Sequence, residues 1–246
     1  MDEPAVIDGL RCPECIGEGG RLATSDDAWV EQWLSTERFA LYVRKSGGNR
    51  ARALALYEWN AKLSAAFLHD LNHFEVALRN AYDTQLIDAT GAGDKHWTDK
   101  TTARRLFPEH LRTNSRTGRN KDINRVPIDK IAQARKAAGP NPSPGKIVAE
   151  LTFGFWTYMT SDIHEKTLWV PYLHKAFPPN TDRAKIHSTL ADLREFRNRV
   201  AHHEPILTAP EARRRQLVFA MRLIRPEALD HFTAHSDVPA LLSQRP

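Results

Sequence analysis

The sequence predicts an all-α protein, a helical bundle carrying a basic, partly irregular insert. Three observations predict it. Apolar residues recur at three- and four-residue spacing over long stretches, few segments alternate with period two, and Gly/Pro clusters fall between the periodic stretches. With 246 residues and 41% hydrophobic content, the chain is long enough to bury a real core.

Residues 1–26 read as an irregular leader and 27–240 as one helical domain. Cys12-Pro-Glu-Cys15 in the leader is half of a zinc knuckle, but no second cysteine pair completes four ligands. The opening residues lack the basic start and apolar centre of a secretory signal, no apolar run approaches a membrane span, and two cysteines make no disulfide scaffold. A cytoplasmic protein without membrane contact is expected.

From Asp27 the pattern turns helical. "WVEQWLSTERFALYV" puts Trp29, Val30, Trp33, Leu34 and Leu41 on one face, with Glu37 intruding on it. "KSGGNR" at 45–50 breaks the helix, because adjacent glycines end helices. A long helix follows over 51–88, with Phe67, Leu71, Phe74, Leu78, Ala81 and Gln85 along one stripe and Glu75 on or beside it. Residues 90–146 read as a weakly structured insert with one short helix near "PIDKIAQARKAA". Within 91–146 there are 13 Lys and Arg against 5 Asp and Glu, whereas the whole chain is only +5. Such a local excess suits a polyanion, nucleic acid first, or a solvated basic loop.

Ser143-Pro144 reads as N-cap and first helical position. "GKIVAELTFGFWTYMT" is nearly all apolar and predicts the most buried helix. "LWVPYLHKAFPPN" is a connector with aromatic anchors. Thr181 or Asp182 caps the next helix, and a last one starts at Pro210 and breaks at Pro226.

The chemistry concentrates on 182–203, "DRAKIHSTLADLREFRNRVAHH". Ile186, Leu190, Leu193, Arg197 and Val200 keep a 4-3-4-3 spacing, which sets an arginine on the core stripe. A buried cation requires a partner or a wet cleft, and Glu75 is the evident partner. Arg197 and His202 stand about 140° apart around an ideal helix. They converge only if the helix loosens near Pro205 or if a second subunit supplies the other side. Arginine holds phosphate bidentately and stabilises transition-state charge, histidine moves protons near neutral pH, and Asn198 adds a neutral donor and acceptor. These are the parts of a metal-free RNA cleavage site. No metal and no cofactor are expected.

"LREFRNRVAHHEPI" resembles the signature of the Abi-like (abortive infection) proteins, a branch of the HEPN superfamily. "ERFALYV", "ALALYEWNAKLSAAFLHDLNHFEVALRNAYD", "LTFGFWTYM" and "LWVPYLHKAFP" resemble its other blocks, in order. The resemblance covers about residues 30–225. It implies a helical phage-defence or toxin–antitoxin protein, acting as a homodimeric, metal-independent endoribonuclease on RNA through an Arg-x-x-x-x-His motif. By position, Arg197 would bind the scissile phosphate, Asn198 would orient it and His202 would act as acid or base. Glu75, Arg79, Asn80, Arg199 and His203 form the supporting set. An antitoxin or a phage-derived trigger is the further partner class. In some HEPN toxins a tyrosine two residues after the motif histidine is modified by a nucleotidyltransferase; Glu204 stands there, so that regulation is not carried over. Some HEPN domains only mediate association, which leaves a non-catalytic module binding RNA or protein as the alternative.

Three further patterns invite functional readings. His69-Asp70-Leu71-Asn72-His73 mimics a zinc-protease helix, yet its aspartate is one methylene shorter than the usual glutamate and no third ligand lies nearby, so hydrogen-bonded or solvated histidines are expected. Arg213, Arg214 and Arg215 read as a solvated face. Glu75 and Arg79 are spaced for an intrahelical pair. If Glu75 also meets Arg197, replacing Glu75 with Gln is expected to weaken both stability and activity.

Overall fold

The computed structural model describes residues 28–246 except 92 and 114. The predicted leader, with Cys12 and Cys15, lies outside the described residues. The all-α expectation holds: among the described residues β-structure is confined to one short hairpin. The contacts divide the chain into two compact units, one ending at Leu56 and one running from Tyr57 to Pro246.

The first unit holds α1 (Ala28–Leu34), α2 (Thr36–Lys45) and the opening turns of α3 (Arg50–Asp88). The single amphipathic face expected over 29–43 is not formed. Ser35 sits at φ 64°, and its hydroxyl accepts the Arg38 N–H at 3.4 Å, so it ends α1 and caps α2. The break resets the helical phase. Val30, Leu34, Phe39 and Tyr42 are buried, Glu37 and Leu41 leave the core face, and Trp29 and Trp33 stack 6.0 Å apart while 51% and 56% exposed. The predicted break after Lys45 is present, with Gly47 and Gly48 both at positive φ.

In the second unit α3 buries the predicted stripe. Phe67, Leu71, Phe74, Leu78 and Ala81 are all buried, and Gln85 is half-buried. The insert is better ordered than its sequence suggested. It contains α4 (Lys100–Leu106), an antiparallel pair β1 (Leu111–Thr113) and β2 (Asn120–Asp122), and α5 (Arg125–Ala137). Its seed is Trp97, an isolated aromatic with no periodicity to reveal it. The ring is fully buried, stacks 6.1 Å from Phe155, meets Trp156 edge-on and donates from Nε1 to Asp83 at 2.6 Å.

Ser143 and Pro144 open α6 (Pro144–Ala149) as predicted, but the apolar helix expected to follow is two helices. Thr152, at ψ 162°, interrupts it and precedes α7 (Phe153–Met159), where Phe153, Phe155, Trp156, Thr157 and Met159 are buried. The aromatic connector forms short helical turns at 162–169 and 173–176, anchored by Trp169 packing on Phe177 at 5.3 Å. Asp182 caps α8 (Arg183–Ala201), accepting the N–H groups of Ala184 and Lys185. Then come α9 (Pro210–Ile224), α10 (Leu229–Ala234) and α11 (Val238–Ser243). No helix among the described residues is long and apolar enough to cross a membrane.

His164 is fully buried between the rings of Phe107 and Tyr158, with both ring nitrogens unbonded. Burial, assisted by nearby His110 and opposed by Asp162, pushes it down to about 4. A lowered histidine pKa stabilises the fold fully above the unfolded value near 6.5, and that contribution is lost as pH falls toward 4. The loss has an upper bound of about 3 kcal/mol. Replacing His164 with Phe should flatten the fall in melting temperature between pH 6.5 and 4. An unchanged acid limb would show that other groups carry it.

Candidate functional site

The motif helix α8 faces the core through Ile186, Leu190, Leu193, Phe196 and Val200. The expected position of Arg197 on that stripe is thus corrected by one residue. Phe196 takes the core position and meets Phe67 of α3 edge-on at 4.9 Å, which rotates Arg197 to the rim. Its side chain is 37% exposed, and only its inner end reaches into the protein.

There Arg197 Nε is shielded from solvent, 3.9 Å from Glu75 Oε2 and without a hydrogen-bond partner. The two groups pair through space rather than through a bond. Glu75 is mostly buried; burial pushes its carboxyl above the usual range, against the opposing pull of Arg197, of Arg79 and of the Phe153 backbone N–H at the start of α7. Arg79 is half-buried and Asn80 is exposed, its carbonyl accepting the Thr84 hydroxyl. Glu75, Arg79 and Arg197 therefore form one electrostatic group, while Asn80 stands on the exposed side of α3.

The end of α8 does not loosen in the way convergence of Arg197 with His202 would need. His202 is its C-cap and still donates its backbone N–H to Asn198. His203 adopts φ 56°, and the N–H groups of His203 and Glu204 reach back to the carbonyls of Val200 and Arg199 at 3.0 and 2.8 Å. That double bond pattern is a Schellman ending, built on a histidine where glycine is usual. Arg199 braces it from outside, donating to the Pro205 carbonyl at 2.9 Å and standing 3.4 Å from Glu204 Oε2. Beyond it, the Ile206 N–H donates to the buried Asn60 of α3 at 2.9 Å, and Ile206 and Leu207 are buried. Asn198 and His202 project from this fixed frame, both exposed. Nothing among the described residues bonds His202 to Arg197, so one chain presents the two groups on separate faces.

The arginine run is not uniformly solvated. Arg214 is buried, its Nη1 3.9 Å from Asp70 Oδ2, with its guanidinium 5.3 Å from the Phe232 ring centroid. Burial lowers its pKa and Asp70 opposes that. Arg213 covers Phe196 at 5.9 Å, and of the three only Arg215 is exposed. The signal that could have found Arg214 is its spacing with Leu217 and Met221 along α9, which marks a buried row.

The sequence model of the Abi-like protein family matches residues 32–208, well over half of the chain. The chain belongs to the Abi-like family. No curated protein and no solved structure matches it. The span that marks it as Abi-like runs from α1 through the pinned segment after α8, so it includes Glu75, Arg79, Asn80, Arg197, Asn198, Arg199, His202 and His203. Helices α9 to α11 lie beyond it; Arg214 of α9 and Ser236, between α10 and α11, both meet Asp70 of this Abi-like core.

The raised carboxyl of Glu75 reverses half of the expected cost of its removal. A group with a raised folded pKa favours the fold below its unfolded value and loses that contribution as pH rises through the folded value. At pH 7 the Glu75 charge is therefore a liability to stability. Glu75→Gln should melt no lower than the wild type at pH 7, and its relative stability should improve between pH 4 and 7. A melting temperature several degrees lower would show that the Arg197 pair outweighs the burial.

Asn60→Ala leaves the buried Ile206 N–H without an acceptor, at a cost of about 1–3 kcal/mol. Hydrogen exchange at Ile206 should accelerate markedly, with little change at Leu71 in mid-α3. Equal acceleration at both amides would mean that Asn60 supports the whole unit rather than the exit of α8.

Proposed function

We propose that this Abi-like chain is a metal-independent endoribonuclease of the HEPN type, acting as a homodimer in abortive infection. The observation that carries the reading is Arg197: a guanidinium steered by Glu75, with Nε left unbonded and its outer end at the surface. An arginine oriented by charge but not consumed by hydrogen bonds keeps its donors for an anion. The braced end of α8 adds support, because it gives exposed His202 a fixed mounting five residues away.

In this reading Arg197 holds the scissile phosphate of RNA and Asn198 orients it. A histidine takes the proton of the 2′-hydroxyl, whose oxygen attacks the adjacent phosphorus. The 5′-oxygen leaves with a proton from a second acid, and the product ends in a 2′,3′-cyclic phosphate. Charge added to the phosphoryl oxygens in the transition state falls to Arg197. Separation of Arg197 from His202 around α8 is met by pairing two motif helices across a dimer, so that each cleft draws on both chains. The basic insert supplies the electrostatic track for the strand: Arg104, Arg112, Arg119, Lys121 and Arg125 are all exposed. An antitoxin or phage-derived trigger would act on this assembly.

The test is cleavage of cellular RNA by the purified chain in excess EDTA, beside Arg197→Ala and His202→Ala. Cleavage should yield 2′,3′-cyclic phosphate ends, and each variant should lose at least a hundredfold in rate. Salt-sensitive RNA binding without products, from folded dimeric protein, would replace the enzyme with a binding module.

A further inference from the structure

Away from Arg197 and His202, α3 carries a second arrangement that the ribonuclease reading does not use. His69 and His73 stand one turn apart on its solvent side, both exposed. Their Nε2 atoms are 3.3 Å apart, and the rings lie 4.6 Å apart centre to centre. Behind His69, Nδ1 is 3.2 Å from Asp70 Oδ1. Asp70 is fully buried, and its other oxygen accepts the Ser236 hydroxyl at 2.6 Å and faces Arg214.

The hydrogen-bonded histidines expected from the sequence are thus present, but their geometry does more than share a proton. Two imidazole nitrogens bound to one zinc ion at about 2.0–2.1 Å, with a tetrahedral angle between them, lie about 3.3–3.4 Å from each other. The Nε2 atoms already have that separation. A metal-bound histidine commonly donates its other ring N–H to a carboxylate, which fixes the tautomer and turns the free nitrogen outward. Asp70 stands in that relation to His69, and Ser236 and Arg214 hold Asp70 in turn.

We propose that His69 and His73 form a two-histidine chelate for a borderline divalent cation, Zn²⁺, Ni²⁺ or Cu²⁺, with Asp70 as the positioning carboxylate. Imidazole suits these metals over Mg²⁺ or Ca²⁺, which prefer oxygen. Binding takes no net proton from the pair. Asp70 keeps the His69 proton on Nδ1, while His73 shifts its proton from Nε2 to Nδ1, where the N–H donates a hydrogen bond to water. Among the described residues no third His, Cys, Asp or Glu completes the set, so water fills the remaining positions. The cation is therefore exchangeable, bound more weakly than in a four-ligand structural site. The site also differs from the zinc-protease pattern it mimics. Asp70 is buried and bonded on both oxygens, so it cannot act as base on a metal-bound water.

The chelate draws on none of the groups assigned to RNA cleavage, so its test stands apart from that reaction. The experiment is calorimetric titration of NiCl₂ and ZnCl₂ into the chelator-treated full chain, with Cys12→Ser/Cys15→Ser as a second background to remove the leader thiols. His69→Ala and His73→Ala are compared in both backgrounds; both side chains are exposed, so the fold is retained. Each variant should lose one equivalent of bound cation or weaken it at least tenfold. Asp70→Asn should keep the stoichiometry but weaken affinity by about tenfold or more. Added Ni²⁺ should raise the melting temperature of the wild type and not of His73→Ala. Absence of binding by the wild type, or equal stoichiometry and affinity in wild type and His73→Ala, would overturn the proposal.

Discussion

Polar side chains spaced along α3, two of them buried, set the arrangement of the second unit. Asn60 holds the exit of α8 through Ile206, Asp70 holds α9 and the chain before α11 through Arg214 and Ser236, and Asp83 holds the insert through Trp97 and His96. Between them Glu75 faces Arg197 and the start of α7. Apolar packing by Phe67, Leu71, Phe74 and Leu78 supplies the bulk of the burial, but it is non-directional and tolerates sliding. A buried amide or carboxylate does not, since losing its partner costs the full desolvation of the group. One helix thus fixes the register of four separate segments, and the motif end of α8 is one of them.

The legible parts of this fold were the long periodic ones. The α3 stripe, the breaks at the paired glycines and at Pro226, and the Asp182 cap could each be read from local chemistry. Three features were not legible, for different reasons. Ser35 breaks the first helical segment through a backbone conformation that serine rarely adopts, so no propensity announces it. Trp97 organises the insert by a tertiary contact with Trp156, and a lone aromatic in a polar stretch has no period to detect. Arg197 was set on the core stripe by a 4-3-4-3 count, while the structure follows 4-3-3-4 through Phe196. A helix of 3.6 residues per turn admits either count. The larger apolar ring wins the buried position because an arginine there would leave its charge unsolvated.

That one-residue difference changes the character of the site. On the stripe, Arg197 would be a buried cation consumed by its ion pair, with little left to offer a ligand. At the rim it keeps an inner end in the field of Glu75 and an outer end in water. Glu75 is itself disfavoured as an anion by its burial, so the pair is under tension from both sides: the carboxyl needs the cation, and the cation is only partly committed. A group of this kind serves positioning better than stability. It also explains why Arg79 belongs to the same set, since a second cation beside Glu75 helps keep the carboxylate charged.

The hand of α8 then fixes what one chain can and cannot do. From Arg197 to His202 the helix is continuous, and the Schellman ending closes it without a bend that would bring the two side chains together. His203 adopts a left-handed conformation costing roughly 1–2 kcal/mol relative to glycine, and Arg199 is spent on bracing the same turn. Such an investment makes sense where the direction of His202 matters more than the comfort of its neighbour. A rigid mount that holds histidine and arginine apart is useless to a reaction confined to one chain. It suits one in which a second motif helix approaches, because two fixed frames meet in a defined geometry where two flexible ends would not. If the proposed ribonuclease acts as a dimer, the strain at His203 and the separation from Arg197 would share one cause, a site whose halves are completed by a second chain.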